Sequence, residues 1–278
     1  MEQPLVSFCI PVHNAGPYLE ATLTCLLLQD YPHVEIICVD DHSTDQSRDI
    51  LNSFAGRIKV YEATKRGAGA ARNLAFEKCS GDYIVFFDAD DLISHNYVSS
   101  QVSKVSDHQC VVICQWGRFH LGPEDFKENA DIVKSDLTLY EWVLHYWTHN
   151  LHTTPPGRVL IPRGILKSAG LWDEELSLND DLDFFTRVFH SSRSILYNDD
   201  AVFLYRSGIN GVSSKTRGWT YQLSNWKSFE KATSLVSSSY PGDQKIRRAC
   251  ANMWQQFVYG CYPGNRLLIR EANGRIKS

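Results

Sequence analysis

A mostly parallel α/β sheet joined by crossover helices is the fold this chain predicts, on three observations. Strand-like and helix-like segments alternate through the first 115 residues. Short turn-forming stretches separate them, as β-α-β wiring requires. Two of the strand-like runs end in clustered carboxylates, at the edge where an open parallel sheet places its ligands.

The elements follow in order. Leu5 to Pro11 is the first apolar run, a helical pattern covers about Pro17 to Gln29, and Val34 to Asp40 is the second strand. Ile50, Leu51 and Phe54 share one side of a helix after Ser47, and Ile58 to Tyr61 is a short third strand. Gly67 to Gly69 open a helix over Ala70 to Lys78 that closes near Gly81, and Tyr83 to Phe87 is the fourth strand. A helix between successive strands makes them parallel. Cys110 to Trp116 reads as another strand, and Gly122 to Asp125 as a polar excursion before a helix near Leu137 to Tyr146. Segment 147–165, aromatic, His-containing and broken by prolines, reads as a lid or a substrate-facing loop, with mere packing as the alternative. From Trp219 on, aromatic residues are spread through helical segments that end in a basic stretch, Arg266 to Lys277.

Composition sets the class. With 278 residues and 43% hydrophobic content, the chain can bury the core of one large domain, or of one domain with a small appendage. A net charge of -4 without a basic run argues against nucleic acid, which needs clustered Lys and Arg to neutralise phosphates. Small molecules or sugars fit better. No segment reaches the roughly eighteen unbroken apolar residues of a membrane span, and the start Met1, Glu2, Gln3, Pro4 lacks the basic opening of a secretory signal. A cytoplasmic setting is therefore expected. The eight cysteines include no CxxC pair and read as small core hydrophobes, with Cys110 and Cys114 on one face of a strand.

The fourth strand runs into Asp88, Ala89, Asp90, Asp91. Carboxylates this close repel one another, so they suit a place where a divalent cation or a set of donor groups neutralises them, although a solvated acidic turn would read the same way. The second strand runs into Asp40, Asp41, His42, Ser43, Thr44, Asp45. A carboxylate there could accept a nucleobase ring N–H while the Asp88 cluster holds a cation on a diphosphate.

In these residues the chain resembles family 2 glycosyltransferases of the GT-A fold, a Rossmann-like central sheet flanked by helices. The likeness runs through Ile10 to Asn14, Asp40 to Asp45, Gly69 to Asn73, the DxD element Asp88, Ala89, Asp90, then Gly170 to Glu174 and Asp180 to Arg187. It covers about residues 5–206 and implies a glycosyltransferase domain over 1–206. Its nucleotide-sugar half spans about 1–116 and its acceptor half 117–206, with a lid segment and helical extension over 207–278. By this resemblance Pro11, His13, Asn14 and Asp41 line the nucleoside, with Asp41 on the base. Asp88 and Ala89 lie against the ribose or donor sugar, Arg72 supports the diphosphate, and Asp90 holds Mn²⁺ or Mg²⁺ with Asp91 sharing that role. Tyr205, Arg206 and Gly208 to Ser214 resemble a flexible stretch that covers the diphosphate, with Arg206 as a contact.

Two departures stand out: His42 replaces the usual Gly of its turn, and Asp180 the usual Glu before the catalytic Asp. The first puts a non-Gly residue where a left-handed backbone is expected, and the second leaves the base to be Asp181 or Asp180. Metal-assisted loss of the diphosphate and deprotonation of the acceptor hydroxyl then imply one in-line displacement with inversion. Trp116, His152, Trp172 and Trp219 are candidates for stacking on sugars, against the ordinary alternative of core packing. Asp183 and Arg187 are expected to form a helix-surface pair, with Phe184, Phe185, Val188 and Phe189 in the core.

The implied donor is a nucleotide diphosphate sugar, UDP-linked by resemblance, although Asp41 suits guanine or thymine as well. The implied acceptor is a glycan or a lipid-linked molecule. The basic, aromatic tail is suited to peripheral contact at the inner face of a membrane, or to homodimer packing. Two rivals are weighed. A sugar nucleotidyltransferase would want a Gly-rich, Lys- or Arg-bearing loop where this chain has Pro11 to Asn14, and a non-catalytic binding module would not need carboxylates at both strand ends.

Overall fold

The computed structural model describes residues 3–105, 107–129, 133–209 and 218–277. The first half alternates as the pattern predicts: β1 (Val6–Val12), α1 (Gly16–Leu27), β2 (Val34–Asp40), α2 (Ser47–Ser53), β3 (Lys59–Glu62), α3 (Ala68–Lys78) and β4 (Tyr83–Phe86). β5 (Leu92–Ile93), α4 (Tyr97–Lys104), β6 (Cys110–Phe119) and β7 (Lys127–Glu128) follow. Then come α5 (Leu139–Tyr146), β8 (Val159–Pro162), α6 (Arg163–Ala169), α7 (Asp180–His190) and β9 (Ser194–Arg206). Three helices end the chain: α8 (Trp219–Ser239), α9 (Gln244–Cys261) and α10 (Arg266–Lys277).

One sheet runs β3-β2-β1-β4-β8-β6-β9-β5, with β7 beside β6. β1 pairs in parallel with both β2 and β4, so the chain crosses over in opposite directions on either side of β1, and the crevice at this switch point opens at the ends of β1 and β4. The register puts Val12 opposite Asp40, which brings His13 beside Asp41. The second half is mixed, because β8 runs antiparallel to β4 and β6. Segment 147–165 is thus no lid. It supplies β8, and Trp147 and residues 154–161 are buried.

Strict alternation along each central strand feeds two cores. Phe8, Ile10, Ile36, Cys38, Val85 and Phe87 face α1, α2 and α4, while Cys9, Ile37, Val39, Ile84 and Phe86 face α3, α5, α6 and α7. Phe229, Trp254, Phe257 and Leu268 of the last three helices join that second core, so the packing is continuous past residue 206. Local signals set the helix starts. Thr138 and Glu141 form a capping box on α5, and the Asp243 side chain accepts the Lys245 and Ile246 N–H groups on α9. Seven cysteines are buried and Cys25 is half-buried.

Candidate active site

The acidic turn after β4 meets the start of α7 through one arginine. Arg72, in the first turns of α3 and only 7% exposed, donates from Nη2 to Asp88 Oδ1 at 2.7 Å and from Nη1 to Asp180 Oδ2 at 3.0 Å. Its guanidinium lies 4.4 Å from the centre of the Trp172 ring, which stacks on Phe184 of α7 at 4.0 Å and meets Phe86 of β4 edge-on. Asn73 fixes that tryptophan through its backbone, donating to Trp172 O at 2.9 Å and accepting from Trp172 N–H at 3.0 Å. A planar cation bonded to two carboxylates and seated on an aromatic face is rigid in all directions. Residues 72, 88 and 180 therefore form one preorganised group.

The carboxylates around it are short of positive charge. Burial, and then the Asp88 charge, push Asp90 up to about 7. Burial, and then the neighbouring Asp180, push Asp181 up to about 7. Burial also raises Asp180, against the lowering pull of Arg72. Asp181 Oδ1 accepts the Leu182 N–H at 3.0 Å. The residue also borders a small internal cavity with His152, Thr154 and Phe185 that has space for about one water.

Asp91 and Arg206 brace this turn. Asp91 is fully enclosed, and its Oδ1 accepts the Arg206 backbone N–H at 2.7 Å. Arg206 donates from Nε to the Asp90 carbonyl at 2.7 Å and stacks between Phe119 and Tyr18, at 4.3 and 4.7 Å from their ring centres. Ala89 is buried, its carbonyl taking the Thr22 hydroxyl at 3.1 Å. At the neighbouring strand ends, Asp41 Oδ2 accepts the Gly67 N–H at 2.8 Å and Oδ1 accepts from His42 Nδ1 at 3.0 Å. His13 Nδ1 lies 2.6 Å from the Asp41 carbonyl oxygen. The Asn14 side chain accepts the Thr44 N–H at 2.8 Å, joining the loops after β1 and β2. Pro11, half-buried in β1, sits in register with Val39.

Residues 7–169 match the sequence profile of Glycosyl transferase family 2. The chain belongs to that family. An uncharacterised glycosyltransferase of Haemophilus influenzae is 38% identical over 231 residues, covering 80% of this chain and 88% of that protein. Other relatives are longer: this chain covers 36% of glycosyltransferase GlyA of Streptococcus pneumoniae, at 27% identity over 87% of its own length. Staphylococcus aureus TarS, solved in complex with UDP, superposes with a TM-score of 0.72 at 16% identity, over 98% of this chain and 88% of that one. The mannosyltransferase PcManGT of Pyrobaculum calidifontis, solved with GDP-Man and Mn²⁺, gives 0.64 at 18% identity, over 99% and 74%. At such identities the likeness is one of fold, and the fold is GT-A.

In this family 2 glycosyltransferase core packing holds for most of the stacking candidates, and other details differ from the expectation. Trp116 and Trp172 are core residues, each 3% exposed, and His152 packs edge-on against Phe229 with burial pushing its imidazole down to about 4. Of the four stacking candidates Trp219, 54% exposed at the start of α8, presents a large open surface. Asp183 and Arg187 are not a surface pair. Asp183 is 2% exposed, and Arg187 also donates to the carbonyls of Ala169 and Leu171, so the pair clamps α7 to the turn after α6. Of the segment expected to cover the diphosphate, residues 210–214 lie outside the described residues, while Arg206 is held in the braced turn. Trp172 as the seat of Arg72 was not foreseen, because a Trp 100 positions away carries no periodic signal linking it to α3. Among the described residues no helix is long and apolar enough to cross a membrane.

Proposed function

We propose that the protein transfers a sugar from a UDP-linked donor to a hydroxyl of a glycan or lipid-linked acceptor, in a single inverting displacement with Asp181 as the base. The observation that carries this reading is the Arg72 bridge, which joins the donor-side Asp88 to the N-terminus of α7 where Asp180 and Asp181 stand. A base and a leaving-group site on one rigid group meet the geometric need of in-line displacement. TarS structures with UDP and with UDP-GlcNAc support uridine as the carrier.

Asp180 is spoken for by Arg72, which leaves Asp181 as the carboxylate able to take a proton near neutral pH. The acceptor oxygen attacks the anomeric carbon, its proton passes to the Asp181 carboxylate, and the bond from that carbon to the diphosphate oxygen breaks. Asp41 accepts the base N–H, with Pro11, His13 and Asn14 beside it. Asp90 is the residue that would hold Mn²⁺ or Mg²⁺. Among the described residues no three His, Cys, Asp or Glu side chains form a cage. An Mg²⁺ ion on a nucleotide diphosphate is usually held by one or two carboxylates and completed by substrate phosphates and water. When bound it supplies positive charge to the departing diphosphate. Asp91, enclosed and bonded to Arg206, braces the turn that carries Asp90.

At the other end of the chain, exposed Tyr259, Tyr262 and Leu267 accompany Arg266 and Arg270, which supports peripheral contact with an anionic membrane surface. Sedimentation with anionic vesicles at low salt checks that contact. The function itself is tested by turnover of a panel of nucleotide sugars with and without Mn²⁺, with the product's anomeric configuration read by NMR. Inversion with a UDP-sugar is expected, and a retained configuration refutes the single displacement.

A further inference from the structure

Position 42 carries a side chain where the backbone favours none. His42 has φ +56°, in the left-handed region that glycine enters freely and that costs most other residues strain. Strain of this kind persists where surrounding contacts over-determine it, and such places concentrate at ligand sites. Here the contacts are explicit. His42 Nδ1 lies 3.0 Å from Asp41 Oδ1, and since a carboxylate only accepts, that nitrogen carries the proton. The Gly67 N–H takes the other oxygen at 2.8 Å, so the carboxylate is held from both sides.

The facing loop is built the same way. Asn14 has φ +50°, and its N–H donates to Ser43 Oγ at 3.1 Å. The two left-handed residues thus fix the loops after β1 and β2 against each other at the strand ends. Within this wall the Asp41 side chain is 11% exposed and His42 keeps 39%. The imidazole is therefore the more exposed partner of the carboxylate that it orients.

We propose that His42 is a specificity-determining residue for the nucleobase of the donor, holding Asp41 toward a single ring N–H and filling the space a purine's second ring would need. Pyrimidine nucleoside diphosphates are thereby preferred over purine ones. The inference rests on the donor reading above.

The test is isothermal titration of UDP and of GDP, each with Mn²⁺, into the full chain and its His42→Gly variant, alongside thermal melts. Glycine adopts this backbone without penalty, so the variant is expected to melt at the same temperature or higher. The full chain should bind UDP at least about tenfold more tightly than GDP, and His42→Gly should narrow that ratio by about tenfold, UDP weakening and GDP gaining. An unchanged ratio in a folded variant overturns the role of His42 and leaves the donor reading standing. Preference of the unaltered chain for GDP overturns this inference and the choice of uridine as carrier, and leaves glycosyl transfer from a nucleotide sugar standing. Failure of both nucleotides to bind overturns the donor reading, and this inference with it.

Discussion

Asp180→Asn separates the two acids at the head of α7. Asp181 is held up to about 7 by burial first and by the Asp180 charge second. A base must be ionised to accept a proton, so activity falls on the acid side. With that value about half of Asp181 is ionised at pH 7 and about a tenth at pH 6, so kcat/KM should drop about tenfold per pH unit below 6 and level off above 8. The variant removes the neighbouring charge and leaves Arg72 without its Asp180 partner, 3.0 Å away in the native protein, so both changes favour an ionised Asp181. The acid limb should move down by about one pH unit, the usual scale for a neighbouring carboxylate. The assay is the pH profile of kcat/KM for nucleotide release with a fixed donor and acceptor, since this ratio reports the free enzyme. Asp181→Asn should abolish turnover while leaving UDP binding nearly intact. An acid limb that stays in place in Asp180→Asn, or substantial turnover by Asp181→Asn, refutes the assignment of the base.

Asp90→Ala should remove the Mn²⁺ dependence of UDP affinity, measured by titration with and without the ion; retained dependence would move the metal role elsewhere. Asp90 and Asp181, both near 7 in the folded chain against a usual 3.8, contribute stability that is complete below about pH 4 and lost as the pH rises through 7. The Cys79 thiol, lowered to about 6, and the His152 imidazole, lowered to about 4, pull the other way over part of this range, so the test is differential: between pH 5.5 and 8 the melting temperature of metal-free Asp181→Asn should fall less, or rise more, than that of the native chain by calorimetry, and an identical pH dependence would contradict the electrostatics. Arg187→Ala strands the buried Asp183 carboxylate and two carbonyls, and urea unfolding should show a loss of about 3–5 kcal/mol, whereas a surface pair would cost less than about 1.

The parallel half of the sheet was legible because each strand is a short apolar run followed by a helix with one apolar side. Val6–Val12, Val34–Asp40 and Tyr83–Phe86 fall within about one residue of their predicted bounds. β8 was not legible. Four residues ending in Pro162, inside a segment broken by prolines, carry no period, and their place between β4 and β6 is set by long-range pairing. The i,i+4 spacing of Asp183 and Arg187 announced an ion pair but said nothing of burial, which depends on the carbonyls at 169 and 171 that Arg187 reaches. The left-handed backbone at His42 was implied by the resemblance, whose usual glycine at this turn marks a position that few other residue types fit.

For the site, the letters gave the carboxylates and the fold gave their cation. Asp88 and Asp180 stand 92 positions apart, and nothing in either motif says that Arg72 bonds to both. That bridge alters how the later pair of acids reads. As letters, Asp180 and Asp181 are equivalent first-turn acids of a helix; in space one is neutralised by a guanidinium and the other is left beside it with its proton held to about 7. Arg206 shows the same division at the acidic turn, where it engages the Asp90 carbonyl and the Asp91 carboxylate through its side chain and its backbone N–H respectively. In each neighbouring pair of acids an arginine thus holds one member, Asp180 by Arg72, which also bonds Asp88, and Asp91 by Arg206. The partner left next to it, Asp181 in one case and Asp90 in the other, is a half-buried acid raised to about 7, which in the proposed reaction would gain most from a proton of the acceptor or from a divalent ion.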